Sequence, residues 1–222
     1  MMSEDLYTSA RHSMVVEQLV ERGITDPRVI HAMSTVPRHQ FVPDEVRDQA
    51  YDDGPLPIGE NQTISQPYIV ALMTELLNLQ GHETILEIGT GSGYQAAILG
   101  KLARQVYSIE RHEPLAQQAA RVLDALGYTN IVIMTGDGSR GLLAHGPYEG
   151  ILVTAATPRV PQILLAQLAD GGRLIAPSGG EKGQQLERWT RRGARFKCET
   201  LIPVAFVPLR GKLGWQDNEW RP

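Results

Sequence analysis

The run Leu86-Glu87-Ile88-Gly89-Thr90-Gly91-Ser92-Gly93-Tyr94 decides how this chain is read. An apolar strand leads into three alternating glycines, and Tyr94 to Leu99 then has the composition of a helix. Glycines allow a ligand close to the backbone, and the helix N-terminus behind them supplies unpaired N–H groups. A tight strand-to-helix turn would need fewer of them, so the run reads as a ligand loop. Spacing then removes two ligands. A dinucleotide fingerprint, G-x-G-x-x-G counted from Gly89, would need glycine where Tyr94 stands. A P-loop would need Lys and then Ser or Thr after the glycines. Glu87 would repel a pyrophosphate but attract an ammonium group, directly or through water.

Toward the C-terminus the pattern alternates strand and helix, as in a parallel sheet covered on both faces. The expected strands are Thr84 to Ile88, Val106 to Glu110, Ile131 to Thr135, Gly150 to Thr154 and Arg173 to Pro177, with helices near 93–103, 114–126 and 159–169. Two more acids close strands. Glu110 stands where a ribose would lie and can accept both its hydroxyls, and Asp137, between Gly136 and Gly138, can accept from an adenine amine. Each alone also reads as a helix cap or turn residue. Together with the glycine loop they point to a nucleoside carrying an amino acid and a positive charge but no phosphate, which is S-adenosylmethionine. After Pro177 the sequence reads as an antiparallel hairpin, Gln185 to Thr190 and Phe196 to Pro208, followed by a loose tail from Trp215.

Toward the N-terminus a helix is expected over Ser13 to Arg22. A second, capped by Asp26 with Pro27 in its first turn, should end at Pro37, and a third should run from Pro67 to about Leu79. Residues 38–62 carry Pro43, Gly54, Pro55, Pro57 and Gly59 and read as an irregular functional or covering segment. Ser65, before Gln66-Pro67, suits a helix N-cap equally well as a donor to a substrate carboxylate. Val204 to Val207 reads as core strand by composition.

The 222 residues carry 21 Lys plus Arg against 25 Asp plus Glu, a net charge of −4, which argues against a protein that mainly grips nucleic-acid phosphates. The Arg188, Arg191, Arg192, Arg195 and Lys197 group reads as a solvated hairpin face. One cysteine, Cys198, excludes an internal disulfide and fits a reducing cytoplasm, and its apolar strand suggests a buried, inert thiol. No metal site is expected, because the six histidines lack ligand spacing. The acidic, polar N-terminus is unlike a secretory signal, and no apolar run approaches the roughly 20 residues of a membrane span.

The residues from Leu86 to Ala97, with Ser108-Ile109-Glu110-Arg111, resemble the bacterial protein-L-isoaspartate O-methyltransferases. So do Arg38, Phe41-Val42-Pro43, Thr63-Ile64-Ser65-Gln66-Pro67, Gly136-Asp137-Gly138, Val153-Thr154-Ala155-Ala156, Gly171-Gly172-Arg173-Leu174 and Phe206-Val207-Pro208-Leu209. The likeness spans about residues 11–211. It implies an α/β, Rossmann-like class I methyltransferase fold: a mostly parallel seven-stranded sheet flanked by helices, with an N-terminal helical extension and a C-terminal antiparallel hairpin. One domain is expected over 1–222, divided into a helical, substrate-covering part (1–80), a cofactor-binding core (81–178), the hairpin (179–211) and a tail (212–222).

The resemblance also implies methyl transfer from S-adenosylmethionine, with S-adenosylhomocysteine as product, to the α-carboxylate of L-isoaspartyl residues in damaged proteins, which starts repair through a succinimide. It makes Ser65 the catalytic position. Thr63, Ser65, Glu87, Gly89, Thr90, Gly91, Ser92, Gly93, Glu110, Arg111, Asp137 and Gly138 become the cofactor set, and Ile64, Ser65, Val204, Ala205, Phe206 and Val207 the peptide contacts. A cytoplasmic monomer without nucleic-acid or membrane partners is expected. From the residues alone, a methyltransferase for RNA or small molecules and a non-catalytic cofactor sensor stay open.

Overall fold

The computed structural model describes residues 2–216 and 218–220. The first helix begins earlier than hydrophobic spacing suggests. Ser3 caps it through the Leu6 N–H at 3.4 Å, α1 runs Glu4–Ser13, and the chain continues as a π-helix over Met14–Val20. Helix α2, Pro27–Thr35, starts as expected, with the Asp26 carboxylate accepting the Arg28 N–H at 2.9 Å. Residues 38–62 are more ordered than their punctuation implies. Two 3-10 turns, Arg38–Phe41 and Asp44–Gln49, lead into a short antiparallel hairpin, β1 (Leu56–Gly59) and β2 (Gln62–Ile64). Glu60 and Asn61 turn it with φ of 50° and 54°. Helix α3, Pro67–Leu77, follows.

The central elements match the expected alternation: β3 (Thr84–Ile88), α4 (Tyr94–Leu102), β4 (Gln105–Glu110), α5 (Glu113–Ala125), β5 (Ile131–Thr135) and β6 (Tyr148–Val153). Two differences follow. Helix α6 is only Gln162–Ala166, because β7 (Leu168–Gly180) begins well before Arg173 and consumes the residues that would have extended it. The closing pair, β8 (Gly183–Arg192) and β9 (Arg195–Val204), is antiparallel as read, but β9 stops at Val204, so residues 205–208 lie beyond it.

The seven strands lie in the order β5-β4-β3-β6-β7-β8-β9, parallel as far as β7. The chain leaves β3 toward β4 and β5, then returns to place β6 on the other side of β3. That reversal opens a crevice at the carboxyl ends of β3 and β6, where ligands of open α/β sheets bind. Strand β3 is buried at every residue, as a central strand covered on both faces must be. The N-terminal helices join the core through Met14, Leu19, Met33 and Tyr94, all at most 1% exposed.

Cys198 corrects another expectation. It is exposed, because β9 is the last strand of the sheet and no strand covers its outer edge. Partial desolvation and the carboxylates of Glu187 and Glu199 still push its thiol up to about 11, which keeps it unreactive near neutral pH. The tail is also less loose than expected. The Trp215 N–H donates to the Leu209 carbonyl at 2.8 Å, and the Arg210 guanidinium donates to the carbonyls of Gln216, Glu219 and Trp220. Asp217, Arg221 and Pro222 lie outside the described residues.

Candidate active site

The glycine loop leaves β3 with Gly89 at φ +96°, and a Cβ there would fall on the Thr154 hydroxyl. That hydroxyl donates to the carbonyls of Ile88 (3.0 Å) and Gly89 (2.5 Å), tying the ends of β3 and β6 together. Gly93, at φ +88°, opens α4 and would carry a Cβ 3.0 Å from that of Ala119. The loop is therefore held from behind by α5 and from the side by β6, and its front faces a cleft.

Glu110, at the tip of β4, is 5% exposed and lines that cleft. Its two oxygens each accept one backbone N–H, from Gly91 and His112, both at 2.9 Å, which fixes the carboxylate and leaves a lone pair on each oxygen. Glu87 stands differently. It is fully buried behind the loop and does not line the cleft; Oε2 accepts from Ser108 at 2.5 Å, Ser108 lies 2.5 Å from the Thr90 hydroxyl, and Oε1 has no partner. Burial, with a smaller push from Glu110 against the Ser108 bond, raises its carboxyl to about 8. Since an unperturbed glutamate ionises near 4.5, the folded state holds this proton where the unfolded chain has lost it. Stability should thus fall as pH rises from about 4.5 to about 8, by up to roughly 1 kcal/mol per unit. Urea unfolding across that range should show the slope in the wild type and its absence in Glu87→Gln.

Hairpin β1–β2 covers the loop. Ile58 Cδ1 would lie 3.4 Å from a Cβ on Gly91, and Glu60 Oε2 lies 3.5 Å from His112 Nδ1 across the cleft. The hairpin ends in Ser65, half-buried, whose hydroxyl makes no hydrogen bond among the described residues. The N-cap of α3 is Gln66 rather than Ser65, which corrects the capping alternative: with Pro67 as the first helical residue, the cap position falls one residue later. The Ser65 carbonyl is fixed from behind by Arg38, whose Nη2 donates to it at 2.8 Å while Nε donates to the Ala50 carbonyl at 2.7 Å. Arg38 is fully buried, lies over the Tyr94 ring at 4.9 Å and leaves Nη1 unpartnered.

Two openings meet here. The first is lined by Thr63, Ile64, Ser65, Gly89 to Ser92, Glu110, Arg111, Gly138 and Val207 of the expected residues. The second runs between Ser65 and residues 203–207. Both touch Thr63, Ser65, Thr154 and Val207. Of the cofactor set, Glu87, Gly93 and Asp137 do not line the first opening; of the peptide set, Ile64 faces the first rather than the second. Asp137 is engaged elsewhere, accepting the Ser139 N–H at 2.9 Å and the Lys212 N–H at 2.8 Å, which pins the tail. Thr154 is the residue sequence reasoning passed over. Its place just beyond β6, at the point where strand order reverses, was a usable signal.

The comparisons agree with this geometry. A profile of the protein-L-isoaspartate(D-aspartate) O-methyltransferase family matches residues 10–214. This chain belongs to that family. A protein-L-isoaspartate O-methyltransferase of Trichlorobacter lovleyi is 57% identical over 211 residues, 94% of this chain and 97% of the relative. One from Syntrophobacter fumaroxidans is 54% identical over 210 residues, 95% and 98% of the two chains. A solved protein-L-isoaspartate O-methyltransferase superposes with a TM-score of 0.84 at 27% identity, covering 92% of this chain and 67% of the other. A Plasmodium falciparum beta-aspartate methyltransferase, solved with S-adenosyl-L-homocysteine, gives 0.78 at 26% identity over 90% and 98%. Membership in the isoaspartate methyltransferase family sets the reaction: methyl transfer to a carboxyl oxygen of isoaspartyl residues, with S-adenosylmethionine as donor.

The residues present suit that donor. A glycine cradle without room for a Cβ at Gly89 and the fixed Glu110 carboxylate, with a lone pair open on each oxygen, favour a nucleoside with free ribose hydroxyls over a phosphate ligand.

Proposed function

We propose that the two openings divide the work, the first taking S-adenosylmethionine and the second the damaged peptide, with transfer at their junction beside Ser65 and Thr154. The observation that carries this reading is that both openings share Thr63, Ser65, Thr154 and Val207. When bound, the cofactor supplies an electrophilic methyl group on a sulfonium. The glycine loop and Glu110 would hold it, Glu110 through the ribose hydroxyls. Gly138 lines the first opening, and a Cβ there would meet the Ile88 side chain at 2.6 Å, so only glycine lets the chain lie this close to β3.

The acceptor carboxylate is already ionised at neutral pH, so the site needs no general base. Its residues orient the anion, exclude water and leave it nucleophilic. Ser65 fits that role because its hydroxyl is free and its backbone is held by Arg38. The amide nitrogen of the following residue then attacks the methyl ester and expels methanol to close a succinimide, whose hydrolysis returns part of the damage to normal aspartyl. Ser65→Ala should lower kcat roughly tenfold, in the range of a lost hydrogen bond to a charged group, while S-adenosylhomocysteine affinity stays within about twofold. Steady-state kinetics with a titration of that product check both.

The protein works on its own in this reading, since one chain supplies every residue around both openings. The single cysteine supports a reducing cytoplasm as its location. No helix among the described residues is long and apolar enough to cross a membrane. Nucleic acid is a poor partner because the chain is acidic overall and three of the five hairpin cations are engaged: Arg188 and Lys197 pair with Glu199 at 3.0 and 3.2 Å, and Arg191 donates to the Leu168 and Gly193 carbonyls. Methyl transfer from labelled S-adenosylmethionine to two peptides differing only in L-isoaspartyl against aspartyl tests the whole reading. Labelling of the isoaspartyl peptide alone is expected, and equal labelling of both would overturn it.

A further inference from the structure

The wall of the second opening that faces Ser65 is held in an unusual way. Val204 is the last residue of β9 and pairs with Gln184 near the start of β8. Two residues on, the next ladder position belongs to Phe206, but the β8 residue that would face it, Lys182, lies in the turn before Gly183. A side chain takes over. Gln184 Oε1 accepts the Phe206 N–H at 2.8 Å and Gln184 Nε2 donates to the Phe206 carbonyl at 3.0 Å, so one amide makes both bonds that a neighbouring strand would make. Gln184 is 6% exposed, which shields those bonds from water.

The consequence falls on the alternate residues. In a ladder, successive residues direct their backbone groups to opposite sides. With Val204 and Phe206 committed to β8, those of Ala205 and Val207 belong to the other side. There the Val207 carbonyl accepts from the Ala156 N–H at 2.8 Å, while the N–H and carbonyl of Ala205 and the N–H of Val207 have no partner among the described residues. Ala205 is exposed, and both residues line the second opening.

We propose that Gln184 is a positioning residue for substrate binding. By replacing the missing strand segment it holds 205–207 as a short open edge, to which the backbone flanking the isoaspartyl residue adds in extended form. Recognition through main-chain bonds carries little side-chain information, so such an edge accepts an extended peptide of almost any flanking sequence. Without the clamp the segment can rotate its polar groups toward solvent, and the edge is lost before the peptide arrives. The inference rests on the second opening being the peptide site.

Amide exchange in the wild type, with S-adenosylhomocysteine bound, makes the first test. The Phe206 amide should exchange slowly throughout, and those of Ala205 and Val207 should be fast until an L-isoaspartyl hexapeptide is added. Kinetics make the second. Gln184→Met and Gln184→Glu should each raise KM for that hexapeptide about tenfold, the scale of one lost hydrogen bond, with kcat within about twofold and S-adenosylhomocysteine affinity unchanged. A hexapeptide N-methylated on both residues flanking the isoaspartyl should bring wild-type KM up to the value of the variants. If peptide leaves Ala205 and Val207 exchange unaltered, the peptide-site reading falls and the inference with it. If peptide protects them but Phe206 exchanges as fast as Ala205 in the free protein, or the variants keep the wild-type KM, the clamp is wrong and the peptide site stands.

Discussion

Gly89→Ala should abolish measurable cofactor binding. At φ +96° an L-residue costs about 1–2 kcal/mol in backbone strain alone. The added methyl would also displace the Thr154 hydroxyl, whose single proton is shared between the Ile88 and Gly89 carbonyls, a donation worth about 1 kcal/mol. The loop cannot absorb this by shifting forward, because forward is the cleft. Expected results are a loss of S-adenosylhomocysteine affinity of at least about 100-fold and a destabilisation of about 2–3 kcal/mol, read by calorimetric titration and by urea unfolding. Gly171→Ala supplies the control. Its φ is +80° with nothing within 4 Å of a Cβ, so it carries the strain without the collision and should bind cofactor normally. If the two variants bind alike, the close approach of Thr154 to the loop does not matter.

Arg38→Met should be nearly as severe, by a different route. The guanidinium has no carboxylate partner among the described residues; it is held by two carbonyls and the face of Tyr94, and its removal strands the carbonyls of Ala50 and Ser65. Each lost charged bond costs about 1.5–3 kcal/mol, so a destabilisation of roughly 3–5 kcal/mol is expected. Activity should fall further than stability explains. With urea-free samples folded at 10 °C, kcat/KM should drop by more than about 100-fold, because losing the anchor displaces the backbone of both Thr63 and Ser65 along the two openings and not the Ser65 hydroxyl alone. Arg38→Lys reaches one carbonyl rather than two, and should recover part of the stability and less of the rate. A folded Arg38→Met with wild-type kcat/KM would reduce Arg38 to a packing residue. Burial pushes the guanidinium down to about 10, still well above neutral, so neither effect should vary with pH between 6 and 8.

How much of this was legible in advance varies along the chain. Strands β3 and β5 were readable to the residue: β3, buried at every position, leaves a short apolar run with sharp ends, and the half-exposed edge strand β5 is a mostly β-branched run stopped by Gly136. Helix α1 was misplaced because Leu6 is 53% exposed, so its hydrophobic spacing carried less information than the Ser3 cap. Hairpin β1–β2 was missed because seven residues cannot display a period and its turn, Glu60-Asn61, lacks the glycine that usually marks one. Among the site residues, Glu110 and the glycine loop lie where spacing put them. Glu87 was read as facing the ligand, yet strand alternation turns its side chain behind the loop toward Ser108.

By itself the sequence determined the parallel sheet, the strand ends that line the cleft and the class of ligand. These follow from local periods and from acids and glycines at strand ends, which short stretches of chain encode. Only the tertiary structure decided that Thr154 locks the glycine loop, that Arg38 anchors Ser65 from 27 residues away, and that Gln184 serves as a strand for Phe206. Those contacts join residues whose separation along the chain carries no pattern. They form because a buried polar group must find a partner, and which partner lies in reach is settled by packing alone.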